Sequence, residues 1–329
     1  MPKIDVIIPA YNADMTIDRA ILSVGCQTIA SDCVITIVDD CSDCSYEDLR
    51  EKFAFMPCKI RVIRMKENGG PGAARQYGID HTRNPYIVFL DADDTLADAL
   101  SLQTLLAGMA EGIGMVSGAF DEQTAAGIVH HADDIVWMHG KMYARKFIEQ
   151  YDIRFHPTSR ANEDNGFNSL VKIVCAVGGQ WKVSLQNRTV YIWHNRKDSI
   201  TREANFAYYF GDSFTGYAEN MIYAARYAEK LFPGLYKNDW FRGWVAANLC
   251  FLYAYYSECY YFRPDLAEKN LYACRTYFDM VYRNVMTAVS AEELAQNYAT
   301  VMTKSYRRRP YIPARSISEF IEDLQKTTY

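Results

Sequence analysis

Tyr86-Ile87-Val88-Phe89-Leu90-Asp91-Ala92-Asp93-Asp94 is the stretch whose reading decides the fold. Ile87 to Leu90 are apolar and β-rich, bounded by Pro85, and read as a buried parallel strand. The strand runs straight into three carboxylates, with only Ala92 interrupting. In an open α/β sheet, ligands bind in the crevice beyond the carboxyl ends of the strands. Acids crowded there repel one another unless a cation sits among them. The reading is a Mg²⁺ or Mn²⁺ site that carries a phosphorylated ligand. Its rival is a polar turn capping the next helix, since Asp is a good N-cap.

Three strand-like runs precede this one: Lys3 to Pro9, Val34 to Val38 and Lys59 to Met65. Helical patterns separate them, over Asp14 to Val24 and near Tyr46 to Phe53, and Asn68-Gly69-Gly70-Pro71-Gly72 opens another with Ala73, Ala74 and Arg75. A helix at about Ala97 to Ala110 and a fifth strand at Gly114 to Ser117 follow. This alternation predicts a doubly wound, mostly parallel α/β sheet. Further on, Phe120 to Trp137 reads as an excursion with short strands, and Gly140 to about Tyr151 as a helix. Asn162-Glu163-Asp164-Asn165 leads into an apolar helix from Gly166 to Val177, and short strands are expected near Trp181 to Ser184 and Thr189 to Trp193. From residue 205 the chain turns tyrosine- and alanine-rich with helical periodicity, at about Phe206 to Leu231, Trp240 to Phe262 and Leu266 to Met286. The expected domains are therefore 1–204, nucleotide-binding and catalytic, and 205–329, helical and either acceptor-binding or structural.

Bulk properties exclude several classes. Of the 329 residues 50% are hydrophobic and 14% aromatic, which is ample for a packed core and outside the disordered range. A net charge of −5 gives no global field for nucleic acid. Nine cysteines without a disulfide framework suit a reducing compartment, and Cys41 and Cys44 have C-x-x-C spacing but no second pair. Met1 to Ile8 reads as a strand rather than a signal peptide, and no run reaches the roughly 20 apolar residues of a membrane span. The expectation is a soluble, cytoplasmic protein.

Taken together, the strand ends assemble a pocket. Tyr11 and Asn12 offer a ring and an amide, and Asp39 or Asp40 could accept the imide N–H of a uracil. Arg75 could reach a phosphate or orient the acids, and Asp91, Asp93 and Asp94 would hold the cation.

In order along the chain, Val6-Ile7-Ile8-Pro9-Ala10-Tyr11-Asn12, Ile37-Val38-Asp39-Asp40-Cys41-Ser42, Asn68-Gly69-Gly70-Pro71-Gly72-Ala73-Ala74-Arg75, Phe89-Leu90-Asp91-Ala92-Asp93-Asp94, Gly140-Lys141-Met142-Tyr143 and Glu163-Asp164 resemble a family 2 glycosyltransferase of the GT-A fold. The similarity runs from about residue 3 to residue 202, and the six pieces fall in the family's order. It implies that Pro9, Ala10, Tyr11, Asn12, Asp39 or Asp40, Gly70 and Arg75 hold the nucleotide of a sugar donor, with Asp91, Ala92 and Asp93 forming the DxD element. It further implies metal contacts from Asp93, Asp94 or Asp91, with His194 as another ligand, and Arg196 in a segment closing over the diphosphate. Asp164, beside Glu163, resembles the catalytic base of an inverting transfer from a UDP-sugar. Cys41 departs from the family, which usually has glycine there.

Rival readings exist. Asp91-Ala92-Asp93-Asp94-Thr95 also fits a haloacid-dehalogenase-type phosphatase with Asp91 as nucleophile, although that signature normally opens its domain and three strands come first here. A non-catalytic nucleotide-sugar-binding module is the third class. The acceptor is expected to be a saccharide. Arg307, Arg308, Arg309 and Arg315, interleaved with Tyr306 and Tyr311, fit instead a nucleic-acid acceptor or a peripheral contact with anionic lipid.

Overall fold

A computed structural model describes residues 3–194, 208–285 and 316–326. The chain forms two compact units, Met1–Lys197 and Asp198–Tyr329. In the first, strand β1 (Ile4–Ala10) has Ile4, Val6, Ile7 and Ile8 wholly buried, as a strand covered on both faces requires. It pairs in parallel with β2 (Cys33–Asp39) on one side and β4 (Tyr86–Phe89) on the other. β3 (Lys59–Arg64), parallel to β2, alternates in exposure as an edge strand does. Helix α1 (Ile17–Gly25) buries Ile17, Ala20, Ile21 and Val24. The short α2 (Leu49–Lys52) and the longer α3 (Pro71–Asp80) complete the crossovers. Because Ala10 pairs with Asp39, and Ile7 with Phe89, the loops after β1, β2 and β4 leave the sheet at one edge.

Beyond β4 the sheet is mixed. The remaining pieces are β5 (Thr95–Leu96), α4 (Ser101–Ala107), β6 (Ile113–Thr124), β7 (Gly127–His131), β8 (Lys141–Ala144), α5 (Arg145–Gln150), α6 (Glu163–Gly178) and β9 (Lys182–Trp193). The strand order is β3-β2-β1-β4-β8-β6-β9-β5, with β7 as a hairpin on β6. β8 lies antiparallel between β4 and β6, whereas β9 is parallel to β6.

Three expectations change here. Residues 141–144 form a strand, not the start of a helix: all four are buried between β4 and β6, and α5 begins only at Arg145. Lys182–Trp193 is one strand of twelve residues instead of two short ones. The polar Gln186-Asn187-Arg188 that broke the apolar pattern coincide with register shifts against β6. Thr95 and Leu96 are a strand, and α4 starts later, after Asp98 accepts from the Leu100 N–H at 2.8 Å.

The second unit holds a π-helical turn, Tyr209–Ser213, running into α7 (Phe214–Leu231), then α8 (Asp239–Phe262), α9 (Ala267–Met280) and α10 (Ile317–Gln325). Tyrosines bond within it: buried Tyr277 Oη donates to the Val245 carbonyl at 3.0 Å and half-buried Tyr217 Oη to Asn248 at 2.6 Å. α10 was not anticipated; it carries a capping box at Ser316 and Glu319 and packs Phe320 against Tyr253 and Tyr256. No helix among the described residues is long and apolar enough to cross a membrane.

Candidate active site

The acids after β4 are drawn into a tight turn by the Asp94 N–H, which donates to the Asp91 carbonyl at 3.0 Å. Arg75 reaches them from α3. Its guanidinium is 4% exposed and donates from Nη2 to Asp91 Oδ1 and from Nη1 to Glu163 Oε1, each at 2.6 Å. Two glycines make this reach feasible. Gly70, at φ +84°, turns the chain into α3, and Gly72 lets α3 approach α6 so closely that a Cβ would lie 2.9 Å from Glu163 Cγ. Burial alone would raise the Asp91 pKa, but the Arg75 charge and His139 override it and hold Asp91 well below the ordinary carboxylate range. Asp94 goes the other way, pushed well up by burial and by the charges of Asp91 and Asp93.

Asp94 accepts from Tyr191 Oη at 2.7 Å and from the His194 N–H at 2.8 Å. Facing both acids is His139, with Nε2 3.7 Å from Asp91 Oδ2 and 4.0 Å from Asp94 Oδ2. Those gaps exceed a hydrogen bond and leave room for an ion. Potential ligand atoms of Asp91, Asp94 and His139 all lie within 4.8 Å of one another. Tyr191 stacks on the imidazole at 4.8 Å and Phe120 meets it edge-on at 5.0 Å. Burial lowers the His139 pKa and favours the neutral, ligand-competent ring. Two hard carboxylates and one imidazole suit Mn²⁺ or Mg²⁺, and a cation would offset the burial and the neighbouring acid charges that push the Asp94 pKa up.

Glu163 and Asp164 open α6, after Asn162 at φ +55°. Burial and the adjacent Glu163 charge raise the Asp164 pKa to about 7, against the opposing pull of Arg75 and of the Asn165 N–H, which donates to it at 2.8 Å. A carboxylate poised there is matched to proton abstraction near neutrality.

At the loops after β1 and β2, Tyr11 presents its ring to solvent, 55% exposed. Asn12, at φ +47°, exchanges hydrogen bonds with Asp43: its Nδ2 donates at 3.1 Å and its Oδ1 accepts from the Asp43 N–H at 2.8 Å. Tyr46 Oη accepts from the Ala13 N–H at 2.7 Å, tying the two loops together. Pro9 and Ala10 are still part of β1. Both acids expected at the base are already engaged. Asp40 accepts from the Gly69 and Gly70 N–H groups at 2.7 and 2.8 Å, and Asp39 accepts from the Ser42 N–H at 2.8 Å and Arg64 at 2.5 Å. Cys41 sits at φ +63°, the left-handed backbone that favours the glycine expected there from the resemblance.

Not every expected ligand joins the cluster. The Asp93 carbonyl accepts from Arg19, and its carboxylate is not one of the clustered groups. The His194 ring pairs with Thr95 Oγ1 at 2.9 Å and Gln123 Oε1 at 3.1 Å, while its backbone N–H donates to Asp94. Arg196, Arg307, Arg308, Arg309 and Arg315 lie outside the described residues. His139 was missed altogether. Its only signal was position, just before Gly140-Lys141-Met142-Tyr143.

Residues 5–161 match the family model described as Glycosyl transferase family 2, a span that includes Asp91 to Thr95 and removes the phosphatase reading. The uncharacterized glycosyltransferase EpsJ of Bacillus subtilis (strain 168) is 25% identical over 225 residues, 61% of this chain and 63% of its own. The succinoglycan biosynthesis protein ExoO of Rhizobium meliloti (strain 1021) is 28% identical over 231 residues, with the same shares, 61% and 63%. The match thus spans less than two thirds of either relative. Among solved structures, S. aureus TarS superposes with a TM-score of 0.61 at 18% identity, over 94% of this chain and 57% of that one. TarS 1–349 in complex with UDP-GlcNAc gives 0.55 at 14% identity, over 94% of both chains. The mannosyltransferase PcManGT from Pyrobaculum calidifontis, in complex with GDP-Man and Mn²⁺, gives 0.52 at 16%, over 93% of this chain and 81% of its own. These likenesses establish the shared fold.

Proposed function

We propose that this chain, a member of glycosyl transferase family 2 through residues 5–161, moves a sugar from a UDP-sugar to a saccharide hydroxyl with inversion at the anomeric carbon. The observation that carries the reading is the Arg75 bridge, which joins Asp91 of the cation-capable cluster to Glu163, the neighbour of Asp164, in one buried assembly. Asp91, Asp94 and His139 would hold Mn²⁺ or Mg²⁺, which when bound supplies Lewis-acid stabilisation of charge on the leaving diphosphate. PcManGT is described with Mn²⁺ and TarS with UDP-GlcNAc, which supports both choices.

The chain's own residues do the rest. Tyr11 offers its exposed ring to the base, with Asn12, Asp39 and Asp40 fixing the surrounding loops. Arg75 holds Glu163 in an ion pair, so Glu163 orients the site and Asp164 is the group left to accept a proton. Asp164 takes the acceptor's hydroxyl proton as that oxygen attacks the anomeric carbon, and the bond to the diphosphate oxygen breaks. One base and direct displacement invert the centre without a glycosyl-enzyme intermediate. A saccharide acceptor agrees with the naming of its relative ExoO as a succinoglycan biosynthesis protein.

The test is turnover of a panel of nucleotide sugars with Mn²⁺, Mg²⁺ or EDTA, with product anomer read by NMR. Metal-dependent use of one UDP-sugar, lost in Asp94→Ala, is expected. Retention at the anomeric carbon would overturn the assignment of Asp164 as sole base. Full activity in EDTA would overturn the metal site.

A further inference from the structure

Lys141 is an ammonium group with no exposed surface, on a strand in the middle of the sheet. Burying such a charge costs several kcal/mol unless it is paired and hydrogen-bonded. Its two partners are both in the strap that precedes β8. Nζ lies 3.3 Å from Asp134 Oδ1 and donates to the His139 carbonyl at 3.2 Å, so one side chain grips both ends of residues 134–139. The strap is tied elsewhere as well. Asp134 Oδ1 accepts from the Val136 and Trp137 N–H groups at 3.0 and 2.9 Å, and Ser117 Oγ donates to the Asp134 carbonyl at 2.5 Å. Asn168 in α6 donates to the Val136 carbonyl at 2.7 Å. None of these ties reaches residue 139; the bond from Lys141 does.

We propose that Lys141 is a positioning residue for the cation site: by holding the His139 backbone to Asp134 it sets the imidazole against Asp91 and Asp94. This rests on the metal reading above but goes beyond it, because Lys141 bonds to Asp134 and the His139 carbonyl and not to Asp91 or Asp94 among the described residues. Partners that orient a metal ligand from behind typically change affinity by about 10- to 100-fold when removed. The sign is diagnostic. Deleting a positive charge near a cation site should, through Coulomb's law alone, strengthen cation binding. A weakened site therefore points to lost geometry. Lys172 is the matched control: it also feels the charges of Asp134 and Lys141, but no hydrogen bond links it to the strap among the described residues.

The experiment is titration of the full chain with Mn²⁺ alone, and with Mn²⁺ plus UDP, read by the EPR signal of free Mn²⁺. Lys141→Met should weaken Mn²⁺ binding about 10- to 100-fold. Lys172→Met should leave it equal or tighter, and His139→Ala should weaken it with no further loss in the His139→Ala, Lys141→Met double variant. Asp134→Asn keeps an acceptor for the Val136 and Trp137 N–H groups while removing the counter-ion. It should give a smaller loss in the same direction. That loss supports the proposal only beside one in Lys141→Met, because losing a nearby carboxylate also weakens cation binding through Coulomb's law. Lys141→Gln serves if Lys141→Met does not fold. Unchanged Mn²⁺ affinity in a folded Lys141→Met or Asp134→Asn protein would overturn the proposal while leaving the metal site standing. Absence of Mn²⁺ binding by the wild type, with and without UDP, would overturn the metal reading and this proposal with it.

Discussion

Two arginines in the first unit, Arg75 and Arg145, are almost equally buried, at 4% and 5% exposed, and lie toward opposite edges of the sheet. Arg145 belongs to the edge where β1 and β4 begin. Its Nε donates to the Asn84 carbonyl at 2.7 Å, Nη1 to Ile79 at 3.1 Å, and Nη2 to Thr82 Oγ1 at 2.7 Å and Asp5 at 3.0 Å. Asp5 is in turn satisfied by the Asn84 N–H and Nδ2, both at 2.7 Å. One cation, one close buried anion and a full set of hydrogen bonds make a closed network. At the other edge Arg75 faces Asp91 and Glu163, with Asp94 and Asp164 close behind, and its Nε has no partner. Acids outnumber the cation there, and burial together with that surplus raises the pKa values of Asp94 and Asp164. The balanced network ties strands together. The unbalanced one keeps a demand for a metal ion and a proton donor, and reactive chemistry needs that demand.

The comparison breaks most visibly in activity. Asp164→Asn should lower kcat by about 10²- to 10⁴-fold, the usual contribution of a general base. Nucleotide-sugar binding should persist, as measured by calorimetry with UDP-sugar. An Asp164→Asn enzyme within a few-fold of wild type would mean that the charge surplus serves the donor alone.

Stability should respond at the other edge. Arg145→Met strands Asp5 in the interior and should cost about 3–5 kcal/mol in denaturant unfolding, with kcat of the folded fraction preserved. Arg75→Met should act chiefly on turnover. It should also move the acid limb of the pH profile upward, because the Arg75 charge now lowers the Asp164 pKa. Equal losses of stability from the two arginines would erase the distinction.

In the wild type, kcat/KM should fall tenfold per pH unit below about 7 and level off above it, as Asp164 becomes the carboxylate that accepts the proton. The same shift has a sign in stability. A folded-state pKa above the unfolded carboxylate value of about 4 means that the folded chain binds the proton more tightly. The share of stability that depends on Asp164 is therefore fullest below about pH 4 and declines as pH rises toward about 7. Asp164→Asn should melt higher than wild type at pH 8 and converge with it near pH 4, so the variant that loses the most activity should also gain stability.

The sequence was most legible where local pattern and topology coincide. Apolar runs ending in polar residues, Tyr11-Asn12 after β1 and acids after β2 and β4, revealed these three strands, and parallel pairing then brings their ends together without tertiary information. The antiparallel half was opaque because its cues mislead locally. Lys141 opens β8 as a buried charge, which no hydrophobic pattern anticipates, and Gln186 to Arg188 interrupt a continuous strand at register shifts. His139 was invisible for the same reason: its place opposite Asp91 follows from β8 inserting antiparallel between β4 and β6. Asp39 and Asp40 were legible as acids at the end of β2, but their bonds to Ser42, Arg64 and the glycine turn were not, because a hydrogen-bond partner is a property of the folded loop.

The smallest expected effect concerns backbone strain, which also gathers near the acid edge. Asn12, Cys41 and Asn162 all have positive φ there. A non-glycine residue in the left-handed region costs about 1–2 kcal/mol, and asparagine tolerates it better than cysteine does. Cys41→Gly should therefore raise unfolding free energy by about 1 kcal/mol, part of the relief being offset by the greater entropy of glycine in the unfolded chain. Donor affinity should hold, because the turn is fixed by the Ser42 N–H donating to Asp39 at 2.8 Å and the Asp40 N–H to Ala10 at 2.8 Å, neither of which uses the side chain at 41. A destabilised Cys41→Gly protein would show that the thiol's contact with the Lys66 carbonyl, at 3.9 Å, outweighs the strain. Weakened UDP-sugar binding with improved stability would instead place the left-handed turn beside Asp91 and Arg75, among the features kept at this edge at the expense of stability.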